Sequence, residues 1–509
     1  MAWFKSIQDI LHKMLRRGWT ETGDIGERTM SRTAVMCVGL LLSLCAGLPA
    51  RADFCDACRG KVRNAAMGKC TSCGEEKATS LGNKFCPDCS KRLKACEACG
   101  AVLPDTDAST GTQYLVFGIP ADVYDPTKDV HGNLDELAAQ LINRFGTTGD
   151  AKHRLGFMIV LPVWFSDSRM GGDQAHIEKI IREAFAVAKD RNVAVYFTFY
   201  SMNHWPAQLW NWYDPAQPGY NPENKKNVEW TDWSGTPTKN RYSLQEGETR
   251  LAPVMCYNSP AVLAEVSYIT SNVVGPALLR GMRDLKSTGK EDLFGGITLS
   301  EELSLDDYSG IDQINPKLGA MMKQDGALKT RLGYCALTNL GYSKDNPPPS
   351  YPAALAKINQ DYSAYWGKQL VQAGIPKNKL YTHVAPATDA AYLQYTNAPI
   401  DTAFNEFSNP GWTTYLAGPL SSGFSILYKA LADNGSPTWG STESSPTNIG
   451  GKNVKPETYL AWHYNHGANL IVINAADGSA GGQGIGKSIW SSAAVDAYKK
   501  FLSGQALVE

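Results

Sequence analysis

From Gln113 onward the chain alternates short β-rich runs with helical stretches eight times, and few architectures accommodate that rhythm. The runs are Gln113 to Ile119, Leu155 to Val163, Asn192 to Tyr200, Phe294 to Glu302, Lys379 to Ala385, Pro399 to Phe407, Pro437 to Glu443 and Asn469 to Asn474. Helical stretches lie between most of them, at Leu134 to Arg144, His176 to Lys189, Ala261 to Asp284, Pro352 to Ala373, Gly418 to Ala432 and Pro456 to His466. Ser491 to Leu502 closes the chain. A strand, a crossing helix and a next strand make a parallel pair with a right-handed connection, and eight such units close most simply into a (β/α)8 barrel. An open doubly wound sheet is the alternative. No Gly-x-Gly-x-x-Gly follows a strand to support it, and Gly481-Gly-Gln-Gly-Ile-Gly lies beyond the last run, as a loop. A barrel of roughly 400 residues exceeds the minimal ~250. The excess sits in Ser201 to Pro260 and Leu303 to Tyr351, two segments on the C-terminal face, where barrel enzymes build their sites.

The barrel is expected over 113–509, and three segments precede it. Residues 1–52 read as an extension ending in a signal peptide. Met30-Ser-Arg-Thr is a basic start, Ala34 to Leu48 is apolar and uncharged, and Ala50-Arg51-Ala52 is a cleavage site. The apolar run is short for a membrane span, which needs about 20 residues. Lipidation at Cys45 is disfavoured by Leu44 beside it. Export from a bacterium, to the periplasm, the cell surface or the medium, is the expectation.

Residues 53–103 hold eight of the 12 cysteines, in four pairs: Cys55 with Cys58, Cys70 with Cys73, Cys86 with Cys89, and Cys96 with Cys99. A Cys-x-x-Cys knuckle places two thiolates on one tetrahedral ion, so four knuckles make two structural zinc sites. Disulfides are the competing reading for an exported chain. The segment resembles double zinc ribbons and cross-brace modules, which implies a module that binds a protein partner and does no chemistry. Residues 104–112 read as a linker. Cys256 and Cys335 read as buried thiols.

Lys plus Arg is 49 and Asp plus Glu is 50, for a net charge of −1, which gives no electrostatic reason to expect nucleic acid. No Gly-x-Ser-x-Gly elbow, P-loop or His-Glu-x-x-His is present, which weighs against esterase, nucleotide-dependent and metalloprotease chemistry.

What remains is a pair of strands ending on acids. The fourth run ends on Glu301 and Glu302, and the seventh on Glu443. Cleaving a glycosidic bond takes one carboxylic acid to protonate the leaving oxygen and one carboxylate on the far side of the anomeric carbon. Strands four and seven lie across a barrel mouth from one another. Alternation along the fourth run turns Thr298, Ser300 and Glu302 to the axis, which favours Glu302 over Glu301. Each of these acids has an ordinary alternative, a solvated strand end or an ion pair. Trp164, Asn203, His204, Asn405 and Glu406 stand near strand ends and are candidate sugar contacts. Trp205, Trp210, Trp212, Trp230 and Trp233 crowd the segment after strand three, and some are expected to be sugar platforms and not core filling. His383 in the fifth run could bind a sugar hydroxyl or orient a carboxylate but reads first as a satisfied interior residue, and His463 and His466 read as structural.

The strand order with its two glutamates resembles the clan A glycoside hydrolases. That resemblance implies a TIM barrel with the acid/base after strand four, here Glu302 or Glu301, and the nucleophile after strand seven, here Glu443. A departure stands beside it: the clan often has Asn before its acid/base, where this chain has Glu301 or Ser300. The implied function is an exported retaining β-glycosidase acting on an oligo- or polysaccharide, with no metal needed for catalysis. The alternatives are a carbohydrate-binding or scaffolding barrel without catalysis, and a metal-dependent hydrolase built from Asp and His at strand ends.

Overall fold

A run such as Leu155–Leu161, apolar at both parities, must be covered on both faces, and a ring of strands inside a ring of helices does this. The structure, a computed structural model, describes residues 111–119, 122–243, 249–328, 330–385, 397–414, 422–446, 454–474 and 489–509, with two strands nearer the N-terminus. The described residues fall into two compact units, divided after residue 107. In the first, Ala65–Lys69 pairs antiparallel with Glu76–Ser80. The expected signal segment and most of the linker lie outside the described residues. So do all eight cysteines expected to hold zinc: Cys55 and Cys58, Cys70 and Cys73, Cys86 and Cys89, Cys96 and Cys99.

The second unit is the barrel. Its parallel strands are β1 Gln113–Phe117, β2 His153–Leu161, β3 Ala194–Phe199, β4 Phe294–Thr298, β5 Leu380–Tyr381, β6 Gly411–Thr413, β7 Trp439–Ser444 and β8 Ala468–Ile473. They hydrogen-bond in the order β6-β7-β8-β1-β2-β3-β4-β5. The ring closes where the chain just past β5 meets β6. Thr382 N–H donates to Asn409 O at 3.0 Å, Val384 N–H to Gly411 O at 3.1 Å and Thr413 N–H to Val384 O at 3.0 Å.

Strand six is a correction to the sequence reading. Pro399 to Phe407 is no strand: Ile400–Ala403 is a 3-10 turn, and β6 begins at Gly411. The Asn405 carboxamide oxygen accepts from Phe407 N–H at 2.8 Å, turning the chain before it enters the barrel.

The main helices around the strands are α1 Val130–Phe145, α2 Gln174–Arg191, α3 Pro260–Ser287, α4 Tyr351–Ala373, α5 Ser422–Asp433, α6 Pro456–Tyr464 and α7 Ser492–Leu502, with shorter ones in the segments after β3 and β4. α3 includes a π turn at Ile269–Val273. Asp129, Asp173, Ser350 and Ser491 cap α1, α2, α4 and α7 by accepting from amides of the first turn, as short polar side chains do. Strand alternation then sorts the two layers. Phe117 points outward against Phe145 of α1 and Tyr498 of α7, with ring centroids 5.2 Å apart in both cases. Tyr196 points inward and hydrogen-bonds Thr298 at 2.6 Å. The segments after β3 and β4 lie against one another over the C-terminal face: Tyr242 Oη donates to Asp325 Oδ2 at 2.8 Å, and Arg241 Nη2 to Ser304 Oγ at 2.7 Å.

Candidate active site

The C-terminal strand ends enclose a cavity lined by Met158, Val160, Thr198, Tyr200, Glu301, Glu302, His383, Thr442, Glu443 and Asn474. Six of the eight strands, or the residues directly after them, supply these side chains.

Glu443 lies within β7, where the pairing register shifts both against β6 and against β8. Such irregularities re-aim a side chain relative to regular pleating. Asn474, directly after β8, donates Nδ2 to Glu443 Oε1 at 2.8 Å. Glu443 Oε2 lies 3.4 Å from Nε2 of His383.

Glu301 and Glu302 follow β4 and face different partners. Glu301 accepts from Ser201 N–H at 2.7 Å and Met202 N–H at 2.8 Å on Oε2, and from Asn203 N–H at 3.2 Å on Oε1. Burial pushes its carboxyl up to about 7, against amide donors that favour the charged form. Glu302 contacts β6 instead, where Thr413 Oγ1 lies 2.5 Å from Glu302 Oε1.

His383, just past β5, joins the two acids. Its Nδ1 is 3.2 Å from Ser300 O and its Nε2 is 2.8 Å from Thr413 Oγ1. Burial lowers the pKa of this imidazole, while the Glu443 charge works in the opposite sense. One ligand-type atom from each of Glu302, His383 and Glu443 lies within 4.8 Å of the other two. A divalent cation fits such a spacing in general, but the Nε2 atom that would ligate is already engaged with Thr413. The arrangement suits proton transfer and nucleophilic attack: two carboxylates across a gap, one held by an amide donor, the other beside a hydroxyl and an imidazole.

Of the candidates from sequence, the structure brings Glu301, Glu302 and Glu443 to one cavity. The others go elsewhere. Asn203 accepts from Arg241 Nη1 at 3.2 Å, next to the Glu301 amide cluster. His204 stacks on Tyr200 with centroids 5.1 Å apart and has a φ of 53°, a left-handed backbone. Trp164 is core, 1% exposed and packed edge-on against Trp366 of α4. Trp205, Trp210 and Trp212 donate their indole N–H groups to Pro253, Trp205 and Thr238 carbonyls, stapling their own segment together. None of these four Trp lines the cavity. Asn405 and Glu406 lie in the turn that leads into β6 and are not among the residues lining the cavity.

Two cavity or supporting residues escape the sequence reading, Thr413 and Asn474, and a third, His383, reads there first as an interior residue and only second as one that orients a carboxylate. All of them sit at the C-terminal ends of strands or just beyond, which is the available signal.

No protein-family model matches the sequence, and no curated protein matches it. Among solved structures, the chain is similar to the PgaB (BpsB) glycoside hydrolase domain from Bordetella bronchiseptica, at 12% identity and a TM-score of 0.42, covering 78% of this chain and 99% of that one. It is similar to the catalytic domain of beta-amylase from Paenibacillus polymyxa, at 9% identity and a TM-score of 0.42, covering 77% and 98%. It is also similar to GH5_18 from Streptomyces cattleya in complex with GlcNAc, at 9% identity and a TM-score of 0.41, covering 78% and 82%. Identities this low carry nothing about individual site residues.

Proposed function

We propose that the chain is a retaining β-glycosidase acting on an oligo- or polysaccharide. One observation carries this reading: carboxylate oxygens of Glu302 and Glu443 lie within 4.8 Å of one another across the cavity. Retaining enzymes hold their two carboxyl groups about 5–5.5 Å apart, whereas inverting enzymes leave about 6.5–9.5 Å for a water molecule. Glu443 attacks the anomeric carbon while Glu302 protonates the leaving oxygen. Water then attacks the glycosyl ester and Glu302 takes its proton. Asn474 holds Oε1 of Glu443, and Oε2 is the attacking atom. Neither step calls for a metal, so activity is expected to survive a chelator.

Export belongs to the same reading, on the order of residues 30–52. So do two structural zinc ions, held by the four Cys-x-x-Cys pairs between Cys55 and Cys99. A protein partner bound through that module is part of the proposal as well.

The test is a panel of β-linked glycans with the product anomer followed by NMR. Retention is expected in the native protein. Glu302→Gln and Glu443→Gln are each expected to lower kcat on the order of 10^3-fold or more. A 2-fluoro glycoside is expected to label Glu443. Inversion, or unchanged turnover in both variants, would overturn the reading.

A further inference from the structure

A hydroxyl has one proton to give, which turns the contacts around Thr413 into a proton count. The Ser300 carbonyl only accepts, so His383 Nδ1, 3.2 Å away, carries a hydrogen. Thr413 Oγ1 then stands between two groups, 2.8 Å from His383 Nε2 and 2.5 Å from Glu302 Oε1. With a neutral imidazole, Nε2 accepts and takes the threonine proton, so the contact to Glu302 requires a proton on the carboxyl. With an imidazolium, Nε2–H donates to Thr413, whose own proton turns to a Glu302 carboxylate. The two arrangements contain the same number of protons.

We propose that Glu302 and His383 share one proton through the Thr413 hydroxyl, that it rests on Glu302 in the free protein, and that Thr413 and His383 are positioning residues that keep Glu302 an acid. Burial decides the resting place. His383 is 3% exposed, and a buried imidazole resists a charge. The groups facing the pair are Glu443 from β7, Glu301 from the end of β4 and Tyr200 from the end of β3. The Glu443 charge, 3.4 Å from Nε2, favours the imidazolium, and the burial of His383 outweighs it. Glu301 is committed to the amides of residues 201–203. No Lys or Arg is among the described residues lining the cavity.

What the proton is used for rests on the glycosidase reading. As the glycosidic C–O bond breaks, its electron pair goes to the leaving oxygen, which takes the Glu302 proton. The Thr413 hydroxyl then rotates and donates to the new carboxylate. In the second half, water forms its bond to the anomeric carbon, the bond to Glu443 breaks, Glu302 takes the water proton, and the hydroxyl rotates back.

The experiment has two arms on the full chain. In the first, 15N-histidine NMR at pH 7 reads the His383 ring, assigned by its loss in His383→Gln. A neutral ring protonated on Nδ1 is expected, and an imidazolium or an Nε2–H tautomer would overturn the proposal. In the second, the pH profile of kcat/KM is compared with that of Thr413→Ala, which admits a water able to donate to the carboxylate. The basic limb is expected to move down by about one pH unit, and Thr413→Ser to restore it. An unmoved limb with hydrolysis intact would overturn the proposal. If no glycoside is hydrolysed, the glycosidase reading fails, and the His383 signal alone decides the shared proton.

Discussion

Backbone amides of Ser201, Met202 and Asn203 occupy both oxygens of Glu301, so its replacement by Gln should register as lost stability more than lost chemistry. With its oxygen placed toward Ser201 and Met202, the glutamine turns an NH2 at the Asn203 amide, and one buried donor loses its partner. The cost expected is about 1–3 kcal/mol in urea unfolding, with kcat within about tenfold of the native protein. A collapse of kcat with unchanged stability would instead make Glu301 the acid. The pair of glutamates after β4 was legible, and period-two alternation was the ground for preferring Glu302, although β4 ends at Thr298, before either residue. The partners of Glu301 were not. They are three amides about a hundred positions earlier, and a backbone N–H leaves no mark in a sequence. Trp205, Trp210 and Trp212 show the converse. Their rings suggested a sugar surface, but indole N–H groups also satisfy loop carbonyls, and here they do so.

At the scale of elements, β6 closes the barrel and also delivers Thr413 to the site. Its first residue has no room for a side chain, because a Cβ on Gly411 would lie 2.2 Å from the Thr382 carbonyl oxygen, on the chain that follows β5. Gly411→Ala is therefore expected to lower stability by about 1–3 kcal/mol or more and to lower activity with it, read by urea midpoint and turnover. An unchanged midpoint would mean that β5 and β6 do not close the ring as described. Seven of the eight strands overlap β-rich runs of five residues or more, even β5, whose two residues fall inside the run Lys379 to Ala385, and the helices between them were legible as periodic stretches. Strand six was not, for a physical reason. Three residues, Gly411-Trp412-Thr413, are too short to show alternation, and Pro410-Gly411 reads as a turn. The misplaced strand cost the site its threonine, and it put forward Asn405 and Glu406, which lie in the turn before β6 and do not line the cavity.

Across the whole molecule, the two long segments after β3 and β4 meet around a buried acid. Glu229, fully buried in the first segment, accepts at Oε2 from Cys335 N–H of the second at 3.2 Å. Burial pushes its carboxyl up to about 8, well above the ordinary 4.5, despite amide donors from Ala336, Cys335 and Trp230. The folded protein therefore holds a proton on Glu229 through a pH range in which the unfolded chain has released it. Stability from this group is full below about 4.5 and falls as pH rises toward about 8, since the native state binds more protons there. Glu229→Gln cannot ionise and should escape the fall. Its stability relative to the native protein is expected to improve between pH 5 and 8, by at most about 1.4 kcal/mol per pH unit. Urea unfolding at a series of pH values measures this. A constant difference would mean that Glu229 ionises in the folded protein at its ordinary value, and that water reaches the seam between the two segments.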